Sequence, residues 1–176
     1  ILIIEKEIKN VNDRTWSYWE SPNGSFDSIL SKKWSKANFC SEDFELDFDL
    51  NPYQYKMLRS AAFYQSIRNK YNKLKNTIFL HAEVKNIDSK NIMTEVITSE
   101  GKFQSKKVFN SLFDPKPMIN QKKYPVLQQH FVGWFIKTKK TSFDSSKVFF
   151  MDFNIPQIQE TRFIYVLPID KHNALV

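Results

Sequence analysis

Gly24, Gly101 and Gly133 are the only glycines in 176 residues, and that scarcity limits what the backbone can build. A phosphate-cradling loop needs several glycines within a few positions, for its tight turn and for close backbone approach to the anion. No such loop can be assembled from this chain. Yet the chain opens on Ile1-Leu2-Ile3-Ile4-Glu5, an apolar run that stops on a carboxylate. That pattern suits a fully buried parallel strand of a dinucleotide-binding unit, whose terminal acid takes ribose hydroxyls. Either the strand is ordinary, or the chain is a piece of a longer nucleotide-binding protein. The first residue, Ile1, and an end at Ala174-Leu175-Val176 that reads as the start of another strand lead us to expect a piece.

The length is enough for one domain or slightly more, with a real core. Sixteen Phe, four Trp and seven Tyr are many for that size; such an excess suits a large core or a site for a long apolar or π-rich ligand. The net charge of +7 is carried by lysines spread along the chain, with no basic run of five. It reads as a solvating surface rather than a nucleic-acid footprint. Cys40 is the only cysteine, which excludes an internal disulfide, and His81, His130 and His172 are scattered, so no metal site is expected. Apolar stretches such as Phe163–Leu167 are far too short to cross a bilayer as a helix.

Residues 10–50 read as a long irregular region carrying Trp16, Tyr18, Trp19 and Trp34, and loops of that length are usually functional. Asn51-Pro52 reads as an N-cap followed by proline at the first helical position. Met57, Ala61, Tyr64, Tyr71 and Leu74 then recur at helical spacing, so a helix is expected over about 52–74, with Arg59 opposite the stripe. From Ile78 to Val108 the pattern alternates, with turns at Ser89-Lys90-Asn91 and Glu100-Gly101, as in a three-stranded meander. Val108-Phe109-Asn110-Ser111 is expected to continue its last strand, and Asp114-Pro115-Lys116-Pro117 to break the chain. Beyond lie four expected strands, Leu127–Lys137, Lys147–Phe153, Arg162–Leu167 and Ala174 onwards, forming a second, antiparallel, aromatic-rich sheet. The expected fold is therefore α/β. Residues 1–115 would form a partial FAD-binding Rossmann-like domain with a β-meander, and 116–176 would begin an antiparallel-sheet substrate domain.

Asn12-Asp13-Arg14-Thr15-Trp16-Ser17-Tyr18-Trp19-Glu20 resembles the segment after the second strand of FAD-dependent lycopene beta-cyclases. Tyr55-Lys56-Met57-Leu58-Arg59 with Phe63-Tyr64, Gln129-His130-Phe131-Val132-Gly133-Trp134, Met151-Asp152-Phe153 with Gln157, and Arg162 through Pro168 resemble the same family in the same order. The resemblance covers nearly the whole chain. It implies an enzyme that closes rings on a linear, lycopene-like carotene without net redox change, with reduced FAD, with NADPH as reductant, and in peripheral contact with a membrane surface on the cytoplasmic side. Nucleic acid is not an expected partner. Related flavoprotein monooxygenases or prenyl reductases, and a non-catalytic lipid-binding domain, are the alternatives.

Within that resemblance Glu5 is the candidate for the FAD ribose, and Arg59 and, more weakly, Arg14 for its pyrophosphate; each is otherwise a solvated charge. Phe131, Trp134 and Phe153 are candidates for the carotene site, or else packing residues. Asp152 lies in an apolar strand where an unpaired carboxylate is costly, so it either acts as an auxiliary acid or pairs with Arg162. The main proton donor is expected just after Val176, where the family continues into an acidic motif. His130 reads as an ordinary strand histidine.

Overall fold

The computed structural model describes residues 1–89 and 92–176. The expected turn at Ser89-Lys90-Asn91 falls partly outside these residues. In chain order the elements are β1 (Leu2–Glu5), β2 (Thr15–Glu20), a 3-10 turn (Asp27–Ile29), β3 (Lys32–Trp34), β4 (Lys36–Ser41), β5 (Phe44–Asp49), β6 (Gln54–Arg59) and α1 (Ser60–Tyr71). They continue with β7 (Ile78–His81), β8 (Val84–Asp88), β9 (Thr94–Thr98), β10 (Gly101–Ser105), α2 (Lys116–Asn120), β11 (Phe135–Lys137), β12 (Val148–Asp152), β13 (Ile164–Pro168) and β14 (Asn173–Leu175). The result is a sheet-rich α/β structure with few helices and several sheets.

Two compact units are interleaved along the chain: residues 1–9 with 70–131, and residues 10–69 with 132–176. The first holds the parallel pair β1–β7, with Leu2 opposite Ile78 and Glu5 opposite His81, and the meander β8–β9–β10. The alternation from Val84 to Ser105 thus forms the three strands, while Ile78–His81 leaves them for β1. The parallel sense of β1 is as expected, but its burial is not: Leu2 and Glu5 are exposed and Ile3 and Ile4 half-buried. One parallel pair does not by itself make a Rossmann-like sheet. Val108–Ser111 forms no strand.

The second unit is built from two sheets. One runs β2–β6–β3, antiparallel throughout; the other runs β11–β14–β13–β12–β4–β5. The second is mixed, because β12 pairs parallel with β4, whereas a purely antiparallel sheet was expected. Leu127–Lys137 contributes only Phe135–Lys137 to it. Strands β4 and β5 come from the region read as irregular. Phe44-Glu45-Leu46-Asp47-Phe48-Asp49 alternates apolar and acidic residues, a strand signal that the reading overlooked; it forms a largely exposed edge strand whose acids help keep the edge from pairing further.

The helix starts at Ser60, not near Pro52, and Gln54–Arg59 is a central strand. Its neighbours override the helical spacing: Met57 and Tyr55 enter the core, while Lys56, opposite Tyr18, turns to Glu20 and Asp27. The caps of α1 come from remote sequence. Asn12 Oδ1 accepts the Ala61 N–H at 3.1 Å, and Asp13 Oδ1 accepts the Ser60 hydroxyl at 2.8 Å and the Tyr64 hydroxyl at 3.0 Å. Asn12 thus satisfies a backbone donor that a helix start leaves open, while Asp13 fixes two side-chain hydroxyls of the first turns. The core of the unit gathers Trp34, Ala37, Leu50, Tyr55, Met57, Val148 and Leu167, and the Trp34 indole N–H donates to the Pro168 carbonyl at 3.2 Å.

Candidate functional site

At the helix end of β6 the backbone brings two of the candidate residues together. Thr15 pairs with Arg59 across β2 and β6. Arg14, one position earlier, donates its N–H to the Ser60 hydroxyl at 3.1 Å and accepts the Ser60 N–H at 3.0 Å. The Arg14 side chain is exposed and that of Arg59 half-buried. The Arg59 guanidinium lies 4.6 Å from the centre of the Phe135 ring, and its Nε is shielded from solvent with no acceptor. Arg59 and Phe135 form part of the wall of a cavity of about 390 Å³, with Lys137, Ile169, Asp170 and Asn173. A planar cation held against a ring face, with an unmatched N–H, is suited to an anionic ligand.

A second feature is a continuous run of rings. Phe150 meets Trp19 at 5.0 Å, Tyr55 at 5.7 Å and Tyr165 at 5.6 Å between centres, each edge to face. From Tyr165 the run continues to Phe163 at 5.0 Å, Phe153 at 5.3 Å and Phe39 at 5.6 Å. Trp34 and Tyr55 are deep in the core, but Trp19 is 43 % exposed and Phe150, Phe153, Phe163 and Tyr165 are half-buried. This wall therefore packs on one side and offers ring surface on the other. Burial raises the pKa of the Tyr55 and Tyr165 hydroxyls, so both remain neutral phenols at physiological pH.

Asp152 lies beside this wall, opposite Cys40 in the parallel β12–β4 register. Its Oδ1 accepts the Asn154 N–H at 2.8 Å. Burial pushes the Cys40 thiol up to about 11, and the hydrogen bond to the Asp152 carboxylate acts in the same direction. The expected partner of Asp152 is engaged elsewhere: Arg162 Nε is 3.5 Å from Glu160, and its backbone is held by the side chain of Gln157. The apolar strand around Asp152 marked an unusual carboxylate, but the thiol partner from β4 could not be read from a region taken as irregular.

The family model for the lycopene cyclase protein matches residues 1–176, the whole chain. The chain belongs to the lycopene cyclase family. No curated protein matches it.

Among the other candidates of this cyclase-family chain, Phe153 is part of the aromatic wall, between Phe39 and Phe163. Trp134 is 69 % exposed, fixed by its backbone, which exchanges hydrogen bonds with Val176 at 2.7 and 2.9 Å. Glu5 and Phe131 belong to the first unit. Glu5 ends β1 exposed, and its Oε1 accepts the Glu7 N–H at 3.0 Å. Phe131 is exposed, and His130 lies outside any strand. Trp19, Tyr55, Phe150, Phe163 and Tyr165 were missed as site residues. Phe163 and Tyr165, two apart in an extended run, carried a signal for a shared face; Trp19 and Tyr55 carried none until β2 and β6 paired. No group of residues suited to a metal ion occurs among the described residues, and no helix there is long and apolar enough to cross a membrane.

Proposed function

We propose that the protein closes β-ionone rings on the ends of a linear, lycopene-like carotene, by proton-initiated carbocation cyclisation with reduced FAD and with NADPH as reductant. The observation that carries this reading is the half-exposed aromatic wall in a chain of the lycopene cyclase family. Cyclisation moves no electrons overall. A terminal alkene takes a proton, a second alkene attacks the tertiary cation, and a proton leaves. The cation needs a dry pocket and electron-rich neighbours. Trp19, Phe150, Phe153, Phe163 and Tyr165 would supply ring faces, each worth about 0.5–2 kcal/mol when well placed. The tyrosines suit this role because they stay neutral. Asp152 serves as an auxiliary that orients the site through the Asn154 backbone and the Cys40 thiol. Phe131 and Trp134 extend the apolar contact with the carotene.

The residues fit a flavin dinucleotide at its phosphates, because Arg59 keeps a shielded Nε without an acceptor. Arg59 and Arg14 would hold the pyrophosphate and Glu5 the ribose. When bound, reduced FAD would supply further stabilisation of the cationic centre or acid–base support. The protein would work on the cytoplasmic side, peripheral to the membrane in which its substrate dissolves. The test is incubation of the complete gene product with lycopene. A cyclase yields a product of unchanged mass, whereas a product that gains oxygen or hydrogen would move the assignment to a monooxygenase or a reductase. Trp19→Ala should lower cyclisation more than flavin retention.

A further inference from the structure

We propose that Gln157 is a positioning residue: its side-chain amide stands in for a missing step of the β12–β13 ladder and so sets how Phe153 and Phe163 meet the end of the carotene. The ladder reaches Asp152 opposite Ile164. Two residues further along each antiparallel strand, Asn154 would stand opposite Arg162. Instead the Asn154 N–H turns to Asp152 Oδ1 at 2.8 Å, and the Gln157 amide takes the vacated position. Its Oε1 accepts the Arg162 N–H at 2.9 Å, and its Nε2 donates to the Arg162 carbonyl at 2.7 Å. A two-way exchange with one backbone residue is what a facing strand residue makes. Nε2 also donates to the Ile155 carbonyl at 3.0 Å and, more weakly, to that of Phe153 at 3.4 Å. Carbonyls around the nitrogen and an N–H on the oxygen fix which way the amide points.

The two ends that this amide joins carry rings of the aromatic wall. Phe153 is one of its acceptors, and Phe163 follows Arg162 directly. Their ring centres are 5.3 Å apart at 60°, and the run continues from Phe153 to Phe39 and from Phe163 to Tyr165. The Arg162 side chain adds only an exposed pair with Glu160 at 3.5 Å, a contact of little worth in water. Gln157 is itself exposed, so replacing it opens no cavity in the core. Its role rests on the wall being the carotene site. The affinity of a long apolar ligand is spread over its whole length, whereas ring closure depends on where the faces next to the cation stand. A displacement of about 1 Å there can cost about a hundredfold in rate.

Gln157→Met keeps the length of the side chain and removes every amide hydrogen bond. With lycopene as substrate of the complete gene product, kcat should fall about tenfold or more while KM stays within about twofold. The melting temperature should stay close to that of the parent. In a Phe153→Leu/Phe163→Leu background the same change should add less than about twofold, because Gln157 acts through those rings. Visible circular dichroism reads the positioning without turnover. Lycopene is achiral, so the band induced when it binds in the absence of NADPH reports the shape imposed on it, and this band should change form in Gln157→Met at unchanged affinity. An unchanged kcat, a loss that multiplies in full with that of the ring variants, or an induced band absent from the parent or identical in the variant overturns the proposal. So does a Gln157→Met protein that no longer folds, since the amide is then structural. A parent that binds lycopene but makes no cyclic carotene refutes the proposed reaction, and the induced band still decides whether Gln157 positions the carotene.

Discussion

Arg59 ends strand β6 with its guanidinium 4.6 Å from the centre of the Phe135 ring on β11, so one contact ties the first sheet of the unit to the edge of the second. The ring holds the cation in place without neutralising it, which leaves its N–H groups for an anion. Phe135→Leu keeps the apolar volume and removes the ring face. It should weaken flavin binding by the complete gene product by about 0.5–1 kcal/mol, the worth of such a contact near the surface. Arg59→Gln should weaken it more. Fluorescence titration with FAD reads both. Equal affinities in all three proteins would remove Arg59 from the cofactor site.

Lys56 is fully buried, yet its Nζ donates to Asp27 at 2.6 Å, Glu20 at 3.0 Å and the Ser21 carbonyl at 3.1 Å. All three ammonium protons are thereby matched. The Glu20 carboxylate in turn occupies the space a Cβ would need at Gly24. Lys56→Met should destabilise by about 3 kcal/mol, the low end for breaking a buried ion pair because both carboxylates still reach water. Gly24→Ala should destabilise in the parent but much less in a Glu20→Ala background, since the clash is with the side chain that holds Lys56. Denaturant melts of the double-mutant cycle measure that coupling; additive effects would contradict it.

Hydrogen bonds from Lys56 and Lys147 hold the Asp27 and Asp47 carboxyls below their ordinary values, and the backbone N–H of His172 does the same for Asp170. Their folded-state pKa values lie below the unfolded ones. The stability they contribute is fully present above the unfolded value of about 4 and is lost as pH falls through the lowered folded values. Thermal melts taken from about pH 6 downward should therefore be level until about pH 4 and then fall. Asp27→Asn should be less stable at neutral pH and flatter below pH 4. A parent melting temperature that holds or rises on acidification would contradict the assignment.

How much of this was legible depended on whether a residue's partners lay nearby in sequence. The meander over Val84–Ser105 carries its own alternation, and Val148–Asp152 and Ile164–Pro168 are short, largely apolar runs of strand length, so all were readable. The strand Gln54–Arg59 was not, because the helix stripe through Met57 and Ala61 joins a strand residue to a helical one. Strand β4 was hidden for a different reason: it gains its place from pairing with β12, more than a hundred residues later, and no local pattern announces such a partner. Strand β5, the edge that pairs with β4 in a tight hairpin, carries its own alternation and was overlooked. At the site, single residues such as Arg59 and Phe153 could be chosen by type, but the run of rings from Trp19 to Phe39 exists only once β2, β4, β6, β12 and β13 are assembled.

Asp152 is bound to a backbone N–H and to a thiol that does not ionise near neutrality. Asp152→Asn keeps the shape and can still accept from Asn154. Measurable cyclisation should survive in this variant, with the product profile altered before the rate is lost. Alkylation of Cys40 by iodoacetamide at pH 8 should run about a hundredfold slower than for an exposed thiol, because its pKa is raised from 9.0 to about 11. If Asp152→Asn abolishes ring closure while FAD remains bound, Asp152 is the proton donor itself.

In the proposed reaction, ring closure begins with a proton from the protein and ends with one returned. Mass spectrometry of the carotene made from lycopene by the complete gene product in D₂O reads this directly. An exchangeable donor becomes a deuteron donor in that solvent, and the proton that leaves at the end is one of the substrate's own. One deuterium is expected in the product for every ring closed, and none in recovered lycopene. A cyclic product without deuterium, or a product whose mass in ordinary water differs from that of lycopene, would contradict it.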